Sequence, residues 1–98
     1  MEMVITDNAL KWFKDDIGAQ AGDKVRFYAQ LYGTSPVQPG YSLAFSKGEE
    51  PVKMAVSVER DGILFFVEDT DEWYFAGHNL YVDYDPKEDE LKYTYVLP

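Results

Sequence analysis

The sequence contains no cysteine and only one histidine among its 98 residues. Without cysteine the chain has no disulfide bond, no thiol nucleophile and no thiolate ligand for a metal. Small secreted domains are often held together by disulfides, so this absence favours the cytoplasm. The N-terminal residues lack the basic start and apolar run of a signal peptide, and no apolar stretch approaches membrane-spanning length. We therefore expect a cytoplasmic protein.

Basic residues are also scarce, because 9 lysines and arginines stand against 18 aspartates and glutamates, for a net charge of -9. Such a surface repels the phosphates of nucleic acid and the headgroups of an anionic membrane. It favours solubility and, more weakly, a basic partner. The composition thus predicts neither nucleic acid nor a membrane among the partners.

Hydrophobic residues are plentiful, at 46% of the chain, and aromatic residues reach 16%. This content can offset the conformational entropy lost on folding, so the chain is expected to be ordered. A length of 98 residues fits a single domain over 1–98. The many tyrosines and phenylalanines favour a fold rich in sheet.

The first long element is predicted to be a helix over residues 6–17, after a short strand at Val4 and Ile5. Thr6 is a suitable N-cap residue, and Gly18 is a suitable stop signal. Apolar residues between them recur at helical spacing and define one buried face, made of Ala9, Leu10, Phe13 and Ile17.

Alternating apolar and polar residues then predict β-strands. Residues 24–32 alternate in this way, with an apolar face of Val25, Phe27, Ala29 and Leu31. Farther along, two strand-like runs flank Asp61-Gly62, a dipeptide that accepts the positive φ angles of a type I′ turn. We expect an antiparallel hairpin of 54–60 with 63–68, whose second strand is central because it is apolar on both faces.

A short helix is predicted from Asp69 or Thr70 to Phe75, and two further strands follow it across an acidic turn that contains Pro86. One helix, a run of short antiparallel strands, a short helix and a closing strand pair together indicate a β-rich α+β protein.

The segment Leu31–Phe45 reads as a loop built to present something, since it holds two prolines and glycines between strand-like runs. Its polar side chains include Thr34, Ser35 and Gln38. The hydroxyl groups can hydrogen-bond to backbone or to a small ligand, and the prolines reduce the entropy lost on binding. We take these three residues as candidates for an interaction surface.

The predicted short helix carries three consecutive aromatic residues, Trp73, Tyr74 and Phe75. A helix cannot turn all three against one surface, so one is free to face a groove or partner unless sheet and loop cover them all. His78 follows as the sole histidine, and it is either a hydrogen-bonded loop residue or a general base. Trp73, Tyr74 and His78 complete the candidate surface.

Two acidic segments raise the possibility of a metal site. Residues 83–90 look superficially like a calcium loop, but Lys87 and Glu88 occupy the places where a ligand and a glycine are required. Four carboxylates surround the short helix, where capping explains them more simply: Glu68, Asp69, Asp71 and Glu72. We therefore expect no metal, no cofactor and no catalytic residue.

Several segments together resemble the HesB-like family, which has the fold of the A-type iron–sulfur cluster carriers, and in particular a cysteine-less bacterial side branch. They are the opening "ITDNALKWFK", the strand "VRFYAQLYG", the loop "YGTSPVQPGYSLAF", the segment "DGILFFVEDTDEWYFAGHNLYVDYD" and the tyrosine-rich end. The resemblance implies mixed or antiparallel sheets in a small sandwich or partial barrel. The first cluster-ligating cysteine of the carriers falls on Thr34, and their terminal Cys-Gly-Cys motif has no counterpart in "YTYVLP".

The resemblance implies a non-enzymatic accessory protein that lost the cluster ligands and binds another protein through an exposed strand edge or the aromatic helix. One alternative is a participant in iron–sulfur cluster biosynthesis that binds iron weakly or acts with a cysteine-bearing partner. Another is a small enzyme or ligand-binding domain that uses His78, Asp69 and Asp71 with the Thr34 loop. The aromatic content also allows a homodimer.

Overall fold

A computed structural model describes the chain over residues 1–98 and shows seven strands, one α-helix and one 3-10 helix. In chain order the elements are β1 Met3–Ile5, α1 Asp7–Asp15, β2 Lys24–Gln30, β3 Ser42–Lys47, β4 Met54–Arg60, β5 Ile63–Glu68, the 3-10 helix Asp69–Phe75, β6 Asn79–Asp85 and β7 Glu90–Val96. The strand-rich α+β class with an N-terminal helix and one further short helix is confirmed.

The strands form two mixed sheets, with orders β1-β6-β7 and β3-β2-β5-β4. The pairs β1·β6 and β2·β5 are parallel, and the other pairs are antiparallel. The parallel pairs contradict a purely antiparallel run of strands, because they join segments that are distant in the chain. Strand β5 is central in its sheet, as its two apolar faces predict.

The β4–β5 hairpin is confirmed, and its register pairs Arg60 with Ile63. Asp61 and Gly62 have φ angles of 50° and 79°, which are the positive values that a type I′ turn requires. Gly62 is also packed closely, since a Cβ atom built on it would lie 2.8 Å from the Cβ of Ala21. Both the turn and the packing therefore require glycine at this position.

Helix α1 begins after Thr6, whose hydroxyl accepts a hydrogen bond from the Ala9 N–H at 3.1 Å. It ends at Asp15, two residues before the predicted end at residue 17. Gly18, at φ 77°, reverses the chain so that the Ala19 N–H reaches the Phe13 carbonyl at 2.9 Å. The hydrogen-bonded turn thus replaces the last predicted helical turn.

The core lies between the two sheets and under α1, and Phe13 is near its centre. The Phe13 ring is fully buried and makes edge contacts with the rings of Trp12, Phe27, Phe45 and Phe65. Burial of one such side chain contributes about 1.5–3 kcal/mol to folding. The predicted face of β2 is buried at Val25 and Phe27, but Leu31 lies beyond the strand and is exposed.

The sheets approach each other differently on their two sides. On one side β1 lies against β4, and the Arg60 guanidinium bonds the Ile5 carbonyl and the Asp7 carboxylate. On the other side β3 and β7 are both edge strands, and no strand pairing joins them. The structure is therefore not a closed barrel, and we call the gap between β3 and β7 the open seam.

Candidate functional site

The segment between β2 and β3 presents two exposed apolar side chains, Leu31 and Tyr32, which are 68% and 80% exposed. Its backbone is nevertheless held in place. Ser42 donates its hydroxyl proton to the Tyr32 carbonyl at 2.6 Å, and Gln30 Nε2 donates to the Ser42 hydroxyl oxygen at 3.0 Å. Leu31 and Tyr32 therefore follow the end of β2 on a backbone that hydrogen bonds hold in place.

The loop itself is closed by a turn between Ser35 and Gln38. The Gln38 N–H donates to the Ser35 hydroxyl at 3.1 Å, and the Tyr41 N–H donates to the Gln38 carbonyl at 3.3 Å. Thr34 precedes this turn and is exposed. Of the two hydroxyl residues that the sequence singled out, Ser35 thus shapes the loop, and Thr34 lies open to solvent.

The short helix brings Trp73 to the same loop. The indole is 50% exposed and meets the Tyr41 ring edge-on, with centroids 5.0 Å apart. Gln38 Nε2 donates a long hydrogen bond of 3.4 Å to the Trp73 carbonyl. The structure thus brings Gln38, one of the predicted loop candidates, into contact with Trp73, one of the predicted aromatic residues. We call Leu31, Tyr32, Gln38 and Trp73 the loop–tryptophan surface.

Tyr74 was predicted to belong to an interaction surface, and this is wrong because its side chain is completely buried. The hydroxyl group is hydrogen-bonded to that of Tyr95 at 2.8 Å, and the ring packs on Phe75. Consecutive residues of the short helix point in different directions, so Tyr74 and Phe75 enter the core while Trp73 faces outward.

His78 lies just beyond the short helix and is partly buried. Its Nδ1 is 2.8 Å from the Phe75 carbonyl oxygen, which makes Nδ1–H the donor, and its backbone N–H bonds the same oxygen at 2.9 Å. The imidazole therefore closes the end of the helix, where a left-handed Ala76 turns the chain. This is the hydrogen-bonded loop histidine that the sequence reading considered.

Three of the four carboxylates near the short helix lie in its first turn, but Glu68, at the N-cap position, makes no capping hydrogen bond with its side chain. Asp71 pairs with the Arg26 guanidinium at 2.8 Å and also accepts the Ala29 N–H at 3.4 Å. Glu68 accepts the backbone N–H groups of Val52 and Lys53 at 3.0 and 3.1 Å. Both acids are nearly buried, so their charges hold the short helix against β2 and the segment before β4.

The acidic turn between β6 and β7 uses its own carboxylates. Asp85 accepts the Lys87 N–H at 2.9 Å, and Lys92 pairs with Glu88 at 2.7 Å. The Tyr84 hydroxyl donates to the Asp89 carboxylate, and this bond raises the pKa of Tyr84 to about 12.

Across residues 1–98, no three histidine or acidic side chains converge on a metal-sized site. None of the helices is both apolar enough and long enough to cross a bilayer.

Sequence comparison adds relatives that match almost the whole chain. The chain is 42% identical over 95 residues to a Bacillus subtilis (strain 168) protein named pyruvate dehydrogenase inhibitor, and the match covers 97% of this chain and 99% of the relative. It is 35% identical over 96 residues to an uncharacterised protein of Staphylococcus saprophyticus, covering 96% and 98%. A Staphylococcus aureus (strain USA300) relative, also uncharacterised, is 29% identical over 96 residues. No protein-family profile matches the chain.

These comparisons overturn the resemblance to the HesB-like family and, with it, the link to iron–sulfur cluster biosynthesis. The relative that matches 97% of this chain is named for a different function, and no family profile supports the carriers. The quoted segments consist of a capped helix, alternating strands, a Gly-Thr loop, an Asp-Gly turn and a short aromatic helix, all of which follow from general folding physics. Without the cysteines, no residue in them was specific to a cluster carrier.

Proposed function

The chain belongs to the family that contains the Bacillus subtilis pyruvate dehydrogenase inhibitor and its staphylococcal relatives, and from this we propose that it is a regulatory protein that binds and inhibits a pyruvate dehydrogenase. The observation that carries the proposal is the 42% identity, which extends over 97% of this chain and 99% of the relative. A non-enzymatic role through protein contact, located in the cytoplasm, is part of the same proposal.

The loop–tryptophan surface is the proposed contact with the enzyme. Tryptophan and tyrosine dominate the energetics of protein interfaces, because they bury a large area with few rotatable bonds. Tyr32 and Trp73 are exposed, yet Ser42, Gln38 and Tyr41 hold the backbone and ring beside them. Because the surface is ordered before binding, little conformational entropy is lost when a partner covers it.

The charge of the chain supports a basic contact region on the enzyme. With a net charge of -9, the protein is attracted to a positively charged surface and steered towards it at low ionic strength. The inhibition is therefore expected to weaken as salt is added, since salt screens charges that lie farther apart than the Debye length.

The test is a titration of the purified pyruvate dehydrogenase complex of Bacillus subtilis with this protein, followed by the initial rate of NADH formation. The rate is expected to fall in a saturable manner. Tyr32→Ala and Trp73→Ala are each expected to raise the half-inhibiting concentration by roughly 30-fold or more, the usual effect of losing a central aromatic anchor. Tyr81→Ala is the matched control, because this exposed tyrosine lies on β6 in the other sheet.

The two parts of the proposal fail separately. If the unaltered protein leaves the rate of NADH formation unchanged at saturating concentration, the inhibitory function is refuted. If it inhibits, but both aromatic variants inhibit as well as Tyr81→Ala, the function stands and the loop–tryptophan surface is the wrong contact.

A further inference from the structure

The open seam has hydrogen-bonding groups on both of its sides that nothing in the chain uses. Strand β3 pairs only with β2, and strand β7 pairs only with β6. The backbone hydrogen bonds within each sheet show which residues direct their backbone groups into the seam. Along a strand, the N–H and C=O groups of successive residues point alternately to opposite sides.

On β3 the outward-facing residues are Leu43, Phe45 and Lys47, of which Leu43 and Phe45 line the seam. The Gly48 N–H donates to the Lys24 carbonyl at 2.9 Å, so residues 48, 46, 44 and 42 direct their backbone groups at β2. The same alternation holds on β2, where the Ala29 N–H points away from β3 and donates to Asp71. The backbone groups of Leu43 and Phe45 therefore point outward, and no hydrogen bond engages them.

On β7 the same reasoning identifies Leu91, Tyr93 and Tyr95. The Leu80 N–H donates to the Glu2 carbonyl at 2.9 Å, and the Val82 carbonyl accepts the Thr6 N–H at 3.0 Å, so these residues of β6 face β1. The residues of β6 between them face β7, where their partners are residues 90, 92, 94 and 96. The three intervening residues of β7 thus direct their backbone groups into the seam.

The side chains of these residues give the seam an apolar floor. Two hollows lie along it, and they share Leu43, Glu90, Leu91 and Tyr93, so they form one continuous groove. The Tyr93 ring packs edge-on against Phe27, and Trp12 packs against Phe45 below the groove. At one end the groove reaches Thr34 and Pro36, next to the loop–tryptophan surface.

Unpaired backbone edges above an apolar floor are the features that an added β-strand uses, with hydrogen bonds for affinity and alternate side chains for fit. The charge around the seam determines which strand fits. Asp89 and Glu90 line it, and its one cation, Lys92, is already paired with Glu88 at 2.7 Å and Glu90 at 3.4 Å. The remaining charge is negative, as it is for the whole chain.

We propose that the open seam between β3 and β7 receives an extended segment of the partner protein, in which apolar residues alternate with lysine or arginine. The apolar side chains cover the floor, the backbone bonds Leu43, Phe45 and Tyr93, and the basic side chains meet Glu90. The inference rests on the proposed function for the identity of the partner, and it adds the chemistry of the segment that is recognised.

The test uses a synthetic peptide of about eight residues, the length of an ordinary strand, in which valine alternates with lysine and threonine. Amide hydrogen exchange is measured by NMR with and without the peptide. Exchange at Leu43, Phe45 and Tyr93 is expected to slow by about tenfold or more, because these amides gain a partner. Exchange at Ala44 is expected to stay unchanged, because this amide is bonded to β2 in both states.

Two further experiments test the role of charge, one on the peptide and one on the protein. The same peptide with glutamate in place of lysine is expected not to bind. Glu90→Lys is expected to weaken binding of the lysine peptide about tenfold, whereas Glu59→Lys on the exposed face of β4 makes the same change in net charge and is expected to have little effect.

Four results would overturn the seam proposal. Three come from the peptide experiments, namely binding without protection of Leu43 and Phe45, equal binding of both peptides, and equal loss in the two charge-reversal variants. Protection of these amides in the chain alone, together with a dimer in sedimentation, would show that a second copy fills the seam and would also refute it. Since no pyruvate dehydrogenase is present in this assay, its failure leaves the inhibition assay to decide the proposed function.

Discussion

Replacement of Asp71 by asparagine tests whether the ion pair with Arg26 holds the short helix, and thereby Trp73, in place. Asparagine has the same shape and keeps an oxygen for the Ala29 N–H, but it removes the charge that faces the guanidinium at 2.8 Å. A hydrogen bond to a charged group contributes about 1.5–3 kcal/mol, and a neutral one about 0.5–1.5. The Arg26 and Asp71 side chains are only 26% and 12% exposed, so solvent screens the pair weakly.

We therefore expect Asp71→Asn to lower the free energy of unfolding by about 1–2 kcal/mol, which corresponds to a fall in Tm of roughly 4–16 °C for a domain of this size. Glu49→Gln is the matched control, because Glu49 pairs with the same guanidinium at 3.1 Å but is 50% exposed. Exposed pairs contribute about 0.2–1 kcal/mol. Urea unfolding followed by circular dichroism measures both variants. Equal losses of stability, or no loss in Asp71→Asn, would show that burial does not strengthen this pair.

Two further predictions concern the core and the hairpin. Burial raises the pKa of Tyr93 and of Tyr95, so the folded state keeps protons that the unfolded chain loses above pH about 10. The free energy of unfolding is therefore constant with respect to these phenols below that pH and falls above it by up to about 1.4 kcal/mol per pH unit for each phenol. Tyr93→Phe is expected to remove the contribution of one phenol to this fall, as measured by urea unfolding at a series of alkaline pH values. An unchanged dependence of the free energy of unfolding on pH would contradict the prediction. Gly62→Ala is expected to cost more stability than Gly18→Ala, because both have positive φ but only Gly62 would bring a Cβ within 2.8 Å of Ala21. Thermal unfolding compares the two, and equal costs of about 1–2 kcal/mol would show that φ alone decides.

The elements that sequence reasoning located correctly are those that local chemistry specifies. Thr6 caps α1 through a residue three positions away, and Asp61-Gly62 sets the hairpin through its own φ angles. In each case the cause and the effect lie within a few residues, so the sequence contains the whole explanation. The end of α1 was predicted less well, because the turn at Gly18 depends on which hydrogen bonds the chain completes after the helix.

The candidate site was predicted only in part, because some of its contacts join residues that are far apart in the chain. The loop at residues 34–38 and Trp73 could be selected by composition, but the ring that contacts the Trp73 indole belongs to Tyr41, which the sequence did not single out as a site residue. Tyr74 looked equivalent to Trp73 in the sequence, and only its place in the core separates them. A long-range signal, such as covariation between residues 26 and 71, could have identified the Arg26–Asp71 pair that supports the helix.

The amino-acid sequence by itself determined that this chain lacks thiol chemistry, carries a strongly negative surface and contains a capped helix, a type I′ hairpin and several alternating strands. Those properties depend on residue type or on neighbours along the chain. Only the tertiary structure decided that β1 and β2 find parallel partners, that Tyr74 is buried while Trp73 is exposed, and that β3 and β7 leave an open seam. These outcomes depend on contacts between residues far apart in the chain, whose free energies become favourable only when the whole core has formed.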